Sequence, residues 1–359
     1  MASASAHGIN MLLTPLFTPP LDTVRGGERT TVQLVGVKKT DGRYSFDFSK
    51  LQRWISLCAK NGISNLEMSH LFTQWGAIAA PKIMGQVDGG KPVRLFGWDT
   101  PAVGGEYTVF LHAFLPELKA FLQGCGWLEH TWFHISDEPN DAEADTFALA
   151  KASVADLLQD CKVMDALSSY QIYKKGIVEH PIVSADHMDA FLEEHVPHLW
   201  TYYCTVQAIK VPNRFIAMPS GRNRILGTLL YRYAIEGFLH WGFNFYNTKY
   251  SAARIDPFRV TDAGAFFPSG DPFLVYPAPD GTAYDSVRGA VLCQALADLR
   301  MLQLLESQIG RDKTVAMLDG LYGRPITFTD YPCREDFFEQ LRAEIAGMLS
   351  LSDEDHAFA

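Results

Sequence analysis

Strand-length apolar runs alternate with helical patterns almost from one end of the chain to the other. Strand candidates fall at residues 10–17, 64–72, 131–136, 163–166, 199–205, 237–246 and 273–276. Helix candidates fall between them at 48–60, 107–122, 144–159, 185–195, 222–235 and 286–307, with Ser49 and Ser286 placed as caps. Such alternation implies parallel strands with helices packed outside them. Seven or eight units over about 300 residues favour a closed (β/α)8 TIM barrel over an open doubly wound sheet. No GxGxxG or GxxxxGK[ST] follows a strand, so a nucleotide fold lacks its phosphate cradle. Residues 31–37 and 43–48, joined at Thr40-Asp41-Gly42, read as a β-hairpin inserted after the first strand. From Gln303 onward the pattern is helical, including 333–351, before an acidic, fraying tail at 352–359. The expected organisation is a (β/α)8 barrel over residues 1–308, with a helical C-terminal extension over 309–359 packed on it.

Composition narrows the function. A formal charge of −10 with no basic run argues against nucleic acid and anionic membrane as partners. The six cysteines are scattered without a CxxC pair and sit among apolar neighbours, as reduced cysteines do. The first six residues carry no basic region, and Pro15, Pro19 and Pro20 break the apolar stretch that follows. Arg232 and Glu236 interrupt the most apolar later stretch. The expectation is a cytoplasmic enzyme.

The chemistry concentrates in Thr131-Trp132-Phe133-His134-Ile135-Ser136-Asp137-Glu138-Pro139. An apolar strand stops at two adjacent carboxylates, and barrel strands end at the active-site face. Alternation puts Trp132, His134, Ser136 and Glu138 on one face, so Asp137 joins Glu138 only if the strand twists or bulges at its end. Pro139 is expected to hold Glu138 extended. Two carboxylates in one desolvated site cannot both ionise freely, so one becomes available as an acid. The alternative is a solvated pair that opens a helix.

Other strand ends carry aromatic and polar clusters: His70 to Trp75, Trp200-Thr201-Tyr202-Tyr203-Cys204, and His240-Trp241-Gly242-Phe243-Asn244. Sugars offer flat C–H faces and a rim of hydroxyls, which such clusters suit. A single aromatic in this setting is equally at home in a core. A metal site from His70, His134 and Asp137 has no HxH or HExxH pairing behind it, so no metal and no cofactor are expected.

The runs Asn10-Met11-Leu12-Leu13-Thr14-Pro15, His70-Leu71-Phe72-Thr73-Gln74-Trp75-Gly76 and His134-Ile135-Ser136-Asp137-Glu138-Pro139 resemble domain-of-unknown-function 4091 proteins. Trp200 to Cys204, Gly237 to Tyr246, Gly270-Asp271, Tyr276-Pro277 and Ser286-Val287-Arg288 extend the likeness over residues 8–308 in order. That group is similar to glycoside hydrolase family 123, which acts on terminal β-linked N-acetylgalactosamine. The resemblance implies a (β/α)8 barrel with substrate-assisted catalysis. Glu138 would serve as general acid and then base, while Asp137 orients the substrate's 2-acetamido group. It also implies substrate contacts at Asn10, His70, Trp75, His134, Trp200, Tyr202, Tyr203, Trp241, Asn244 and Arg288. Carbohydrate is the expected partner, with self-association into a homo-oligomer left open. The competing readings are a carbohydrate-binding barrel without turnover, a glycosidase of different sugar specificity, and a metal-dependent hydrolase.

Overall fold

The computed structural model describes the backbone of residues 1–357 and side chains through residue 350. The tail expected to fray at 352–359 lies outside the described side chains, and its last two residues outside the described backbone. The chain divides into two compact units, Met1–Ile182 with Asn247–Arg254, and Val183–Tyr246 with Ile255–Ala359. Strands and helices alternate and the main sheets run parallel, so the fold is α/β. No sheet closes on itself among the described residues.

In the first unit Met11–Thr14, Asn65–Met68, Thr131–Phe133 and Lys162–Val163 form one parallel sheet in that order. Each ladder is shorter than its apolar run. Past the ladder the chain remains buried but bonds across loops, as where Leu71 and Phe72 donate to the carbonyls of His134 and Ile135 at 3.1 and 2.9 Å. Burial alone therefore extends the apolar pattern beyond the strand. Helix Ser49–Lys60 turns Leu51, Ile55 and Cys58 inward, one helical face. Its entry is held by Asp47, whose Oδ1 accepts the Ser49 amide at 2.9 Å, so Ser49 starts the helix rather than capping it. Helix Glu106–Gly124 packs Phe110 and Phe114 against Phe17 and Phe46, at ring separations of 4.9–5.7 Å.

The hairpin forms as Gly36–Thr40 against Arg43–Asp47, turning on Asp41 and Gly42, both left-handed (φ 49° and 77°). That conformation matches the twist of the flanking strands. The hairpin does not stand alone. Ile83–Val87 and Val93–Phe96 extend it into a four-stranded sheet, although Gly85 and Gln86 in the first and the exposed Val93 and Arg94 in the second leave little pattern to read in the sequence.

In the second unit Trp200–Tyr202 pairs in parallel with Gly237–Leu239. A side chain at Gly237 would strike the Trp200 ring, so the glycine admits the indole. The expected helix at 222–235 is split into Gly221–Arg224 and Leu226–Arg232. Gly227 lets the latter meet the backbone of Ala295 in helix Val287–Ile309, where a Cβ would collide with a carbonyl. Ser286 caps that long helix as expected, accepting the Gly289 amide at 3.2 Å. Helices Arg311–Tyr322 and Glu335–Ala357 pack against it. Asp298, fully buried on the long helix, accepts from Arg224 at 2.9 Å and Arg342 at 2.7 Å. No disulfide joins the six cysteines, and Cys58 alone is fully buried. No helix among the described residues is long and apolar enough to cross a membrane.

Candidate active site

The strand Thr131–Phe133 stops four residues short of Asp137, so the strand-face alternation expected through Glu138 does not apply. The chain instead bends at Ile135 and Asp137, and Glu138 takes a left-handed φ of 44°. This corrects the expectation that Pro139 holds Glu138 extended. A non-glycine residue in that region is strained, at a cost of order 1–3 kcal/mol, and persists only where surrounding contacts impose it.

The turn leading to it is held by Asp165, a buried carboxylate in strand Asp165–Leu167. Its Oδ1 accepts the amides of Ile135 and Ser136 at 3.1 and 3.2 Å. Ser136 Oγ donates to the Thr73 carbonyl at 2.7 Å, and Tyr107 Oη to that of Leu71 at 2.5 Å. The two segments that follow neighbouring parallel strands are thus bonded side by side. At their tips Gln74 Nε2 donates to Asp137 Oδ2 at 2.7 Å, and Gln74 Oε1 accepts the Asp22 amide at 2.7 Å. The amide is held at both ends, so its orientation toward Asp137 is determined.

His134 lies beneath this turn, 1% exposed. Its Nδ1 is 3.3 Å from Asp165 Oδ1 and its Nε2 3.2 Å from Glu67 Oε1. Burial alone would lower its pKa, but the two carboxylates raise it to about 10. His134 is therefore an imidazolium between two acids. The His70 ring stacks on it at 4.3 Å, and burial with the neighbouring positive charge keeps His70 neutral. Asp137 is pushed up to about 7 by burial and then by Glu138, against the opposing pull of Gln74 and His134. In the free protein the raised carboxyl is Asp137, half-buried, beside an exposed Glu138.

His70, His134 and Asp165 form a buried trio whose donor atoms lie within 4.8 Å of one another. His134 and Asp165 are otherwise engaged, whereas His70 Nδ1 has no hydrogen-bond partner among the described residues. Asp165 Oδ1 already serves three donors, and both nitrogens of His134 face carboxylates as an imidazolium, which has no lone pair to offer a metal.

The structure brings His70, His134, Asp137 and Glu138 together, with Trp75 one residue past Gln74, its ring edge-on to Tyr250 at 6.5 Å. Asn10 is not among them. It precedes strand Met11–Thr14 and so lies, exposed, at the N-terminal end of the parallel sheet, whereas the site residues follow the C-terminal ends of its strands. In the second unit Tyr202 and Tyr203 are buried, and Tyr203 packs on Phe238 and His240 at 4.8 and 5.4 Å. Trp200 lies over Gly237, and Trp241 donates its indole N–H to Asp271 at 3.0 Å. Asn244 is exposed, and Arg288 opens the long helix. Glu67, Gln74 and Asp165 were not among the expected site residues. For Glu67 and Asp165 the available signal was a lone carboxylate inside a short apolar strand.

A family model described as "Glycoside hydrolase 123, catalytic domain" matches residues 1–305. Among solved structures, a family 123 glycoside hydrolase from Clostridium perfringens, studied for glycolipid glycan hydrolysis, superposes with a TM-score of 0.68 at 14% identity. The match takes in 99% of this chain and 64% of that one, so the chain spans under two thirds of its neighbour's length. A family 5 mannosidase from Rhizomucor miehei gives a TM-score of only 0.39 at 11% identity over 87% of each chain. No curated protein matches the sequence.

Proposed function

The chain belongs to glycoside hydrolase family 123, and from that premise we propose that it removes terminal β-linked 2-acetamido-2-deoxy sugars of the N-acetylgalactosamine kind, with retention and with the substrate's own acetamide as nucleophile. The observation that carries this reading is one turn with two carboxyls in unlike settings, Asp137 gripped by Gln74 and Glu138 exposed beside it. In direct displacement the carboxyls flank the scissile bond, about 5–5.5 Å apart for retention and about 6.5–9.5 Å for inversion. Residues one peptide apart reach a sugar ring from the same side. The opposite face is left to the acetamide carbonyl oxygen, which bonds to the anomeric carbon as the glycosidic C–O bond breaks. An oxazoline results.

Glu138 gives its proton to the departing oxygen and regains one from the water that opens the oxazoline. Asp137 accepts the acetamide N–H and, as an anion, balances the charge spread over the oxazolinium ring. The free protein favours a proton on Asp137. An N–H donor bound there favours the anion instead, and that anion holds the shared proton on Glu138. Substrate binding thus sets the protonation state that the first step needs. No cofactor enters the scheme. The architecture we propose for it remains a (β/α)8 barrel over residues 1–308, with 309–359 as its extension.

Aryl β-glycosides that differ only at C2 and C4 test the reading. The 2-acetamido sugars should turn over with retention, and a thiazoline that mimics the oxazoline should inhibit. Equal turnover of plain galactosides or glucosides would remove the acetamide from the mechanism. Tight thiazoline binding without turnover would instead identify a sugar-binding protein.

A further inference from the structure

Two arginines of the second unit are buried with donors left over. Arg214, 3% exposed, spends Nη2 on His240 Nδ1 at 2.6 Å and on the Gly242 carbonyl, while its Nε has no acceptor. Arg288 gives Nη1 to the Gly270 carbonyl at 2.5 Å, and its buried Nη2 has none. Carbonyls satisfy hydrogen bonds but do not neutralise charge. Asp271 is the carboxylate within electrostatic reach of both guanidinium groups. It is already committed, accepting from Thr205 Oγ1 at 2.8 Å and Trp241 Nε1 at 3.0 Å, with His240 Nε2 3.3 Å from its other oxygen. His240 adds no charge, because burial and then Arg214 lower its pKa to about 4. Two cations against one anion leave a net positive charge in a desolvated place, which is costly unless something neutralises it.

Both arginines line a cavity of about 390 Å³ whose wall contains no acidic residue. Ser286, Val287 and Arg288, the start of the 23-residue helix Val287–Ile309, line it too. Ser286 Oγ takes the Gly289 amide and its carbonyl takes that of Ala290, so the amides of Val287 and Arg288 stay outside the helical ladder. Asn223 and Tyr276 add polar edges to the same wall.

We propose that this cavity is an oxyanion site, in which Arg214, Arg288 and the first turn of helix Val287–Ile309 receive a carboxylate, sulfate or phosphate group. The site is built wholly from the second unit; it reassigns Arg288, one of the sugar contacts implied by the family resemblance, and its sulfate test needs no glycosidase activity. Its volume admits a group of monosaccharide size, so the oxyanion is either free or carried on a sugar.

Thermal unfolding of the full chain with sulfate, against chloride at matched ionic strength, tests it. Sulfate should raise Tm saturably, and Arg288→Gln should weaken the apparent affinity about tenfold to a hundredfold. Arg288→Lys, which keeps the charge but loses the planar fork, should fall between them and covers the case in which the Gln variant folds poorly. A rise that chloride reproduces, or an Arg288→Gln titration superimposed on the wild type, overturns the proposal. The source of the oxyanion is read with an aryl glycoside carrying a sugar sulfate. Binding tighter than both its neutral parent and free sulfate, with the advantage lost in Arg288→Gln, identifies a sugar-borne group. Binding no tighter than free sulfate identifies the free anion.

Discussion

Asp165→Asn replaces one carboxylate oxygen of the group that organises the turn carrying Asp137 and Glu138, and its effect can be worked out from the contacts described. Asp165 accepts the Ile135 and Ser136 amides and pairs with His134, all buried. Removing one partner of a buried ion pair costs about 3–5 kcal/mol. The His134 value of about 10, against 6.5 for a free histidine, corresponds by itself to about 5 kcal/mol. Burial also pushes Asp165 upward, which opposes that gain, so the lower end, about 3 kcal/mol, is the expected loss at pH 6.5. The loss depends on pH. Because the folded-state value of His134 is raised, its contribution is complete below pH 6.5 and fades as pH climbs through about 10. Urea unfolding of both proteins at pH 6.5 and near 10 should therefore show a gap that narrows with pH. A gap of constant size across that window would refute the imidazolium assigned to His134. In the same variant two effects on Asp137 oppose, because the Asp165 charge that raises it is lost together with part of the His134 charge that lowers it, so the limb of kcat/KM near pH 7 should move little.

Further outcomes follow from the same contacts. Glu138→Gln should slow hydrolysis of substrates with poor leaving groups by about 10²–10⁴, and far less in the first step for activated aryl groups; equal losses on both would take Glu138 out of the acid role. Asp137→Asn should sharply weaken thiazoline inhibition, measured as Ki, because a neutral amide cannot balance the ring's charge. Gln74→Ala removes a bond that lowers the Asp137 pKa, so the same limb of kcat/KM should shift to higher pH with little change in Tm. Treatment with a chelator followed by assay should leave activity unchanged, since Asp165 Oδ1 is spent on His134 and on backbone amides and both His134 nitrogens face carboxylates.

The Asp137–Glu138 pair stood out because adjacent carboxylates end an apolar run there, although the same pattern also suits a solvated pair that opens a helix. The hairpin was legible for a similar reason, since Asp41-Gly42 suits a turn with two left-handed residues. What stayed hidden depends on residues distant in sequence. Nothing local marks Asp165 as the acceptor for the amides of Ile135 and Ser136, thirty and twenty-nine positions away. The left-handed Glu138 runs against the preference of a residue before proline, and only the surrounding bonds impose it. Strand ends were overestimated where apolar residues such as Leu71 and Ile135 are buried by loop packing rather than by a ladder. Residues 83–96 were missed because Gly85 and Gln86 interrupt the apolar run of the first strand and the second, Val93–Phe96, is largely exposed.

The Asp298 cluster bears on where this protein can be cut. The family match stops at residue 305, a natural place to trim an expression clone. Yet Asp298 is neutralised in part from beyond that boundary, by Arg342, and Arg224, which grips its other oxygen, also reaches Glu335 at 2.7 Å. A clone ending near 305 would keep the buried acid and lose one of its two cations, together with the Phe338 ring on which the Arg224 guanidinium lies at 4.5 Å. Homology and the pairing of a buried charge thus draw different borders on this chain.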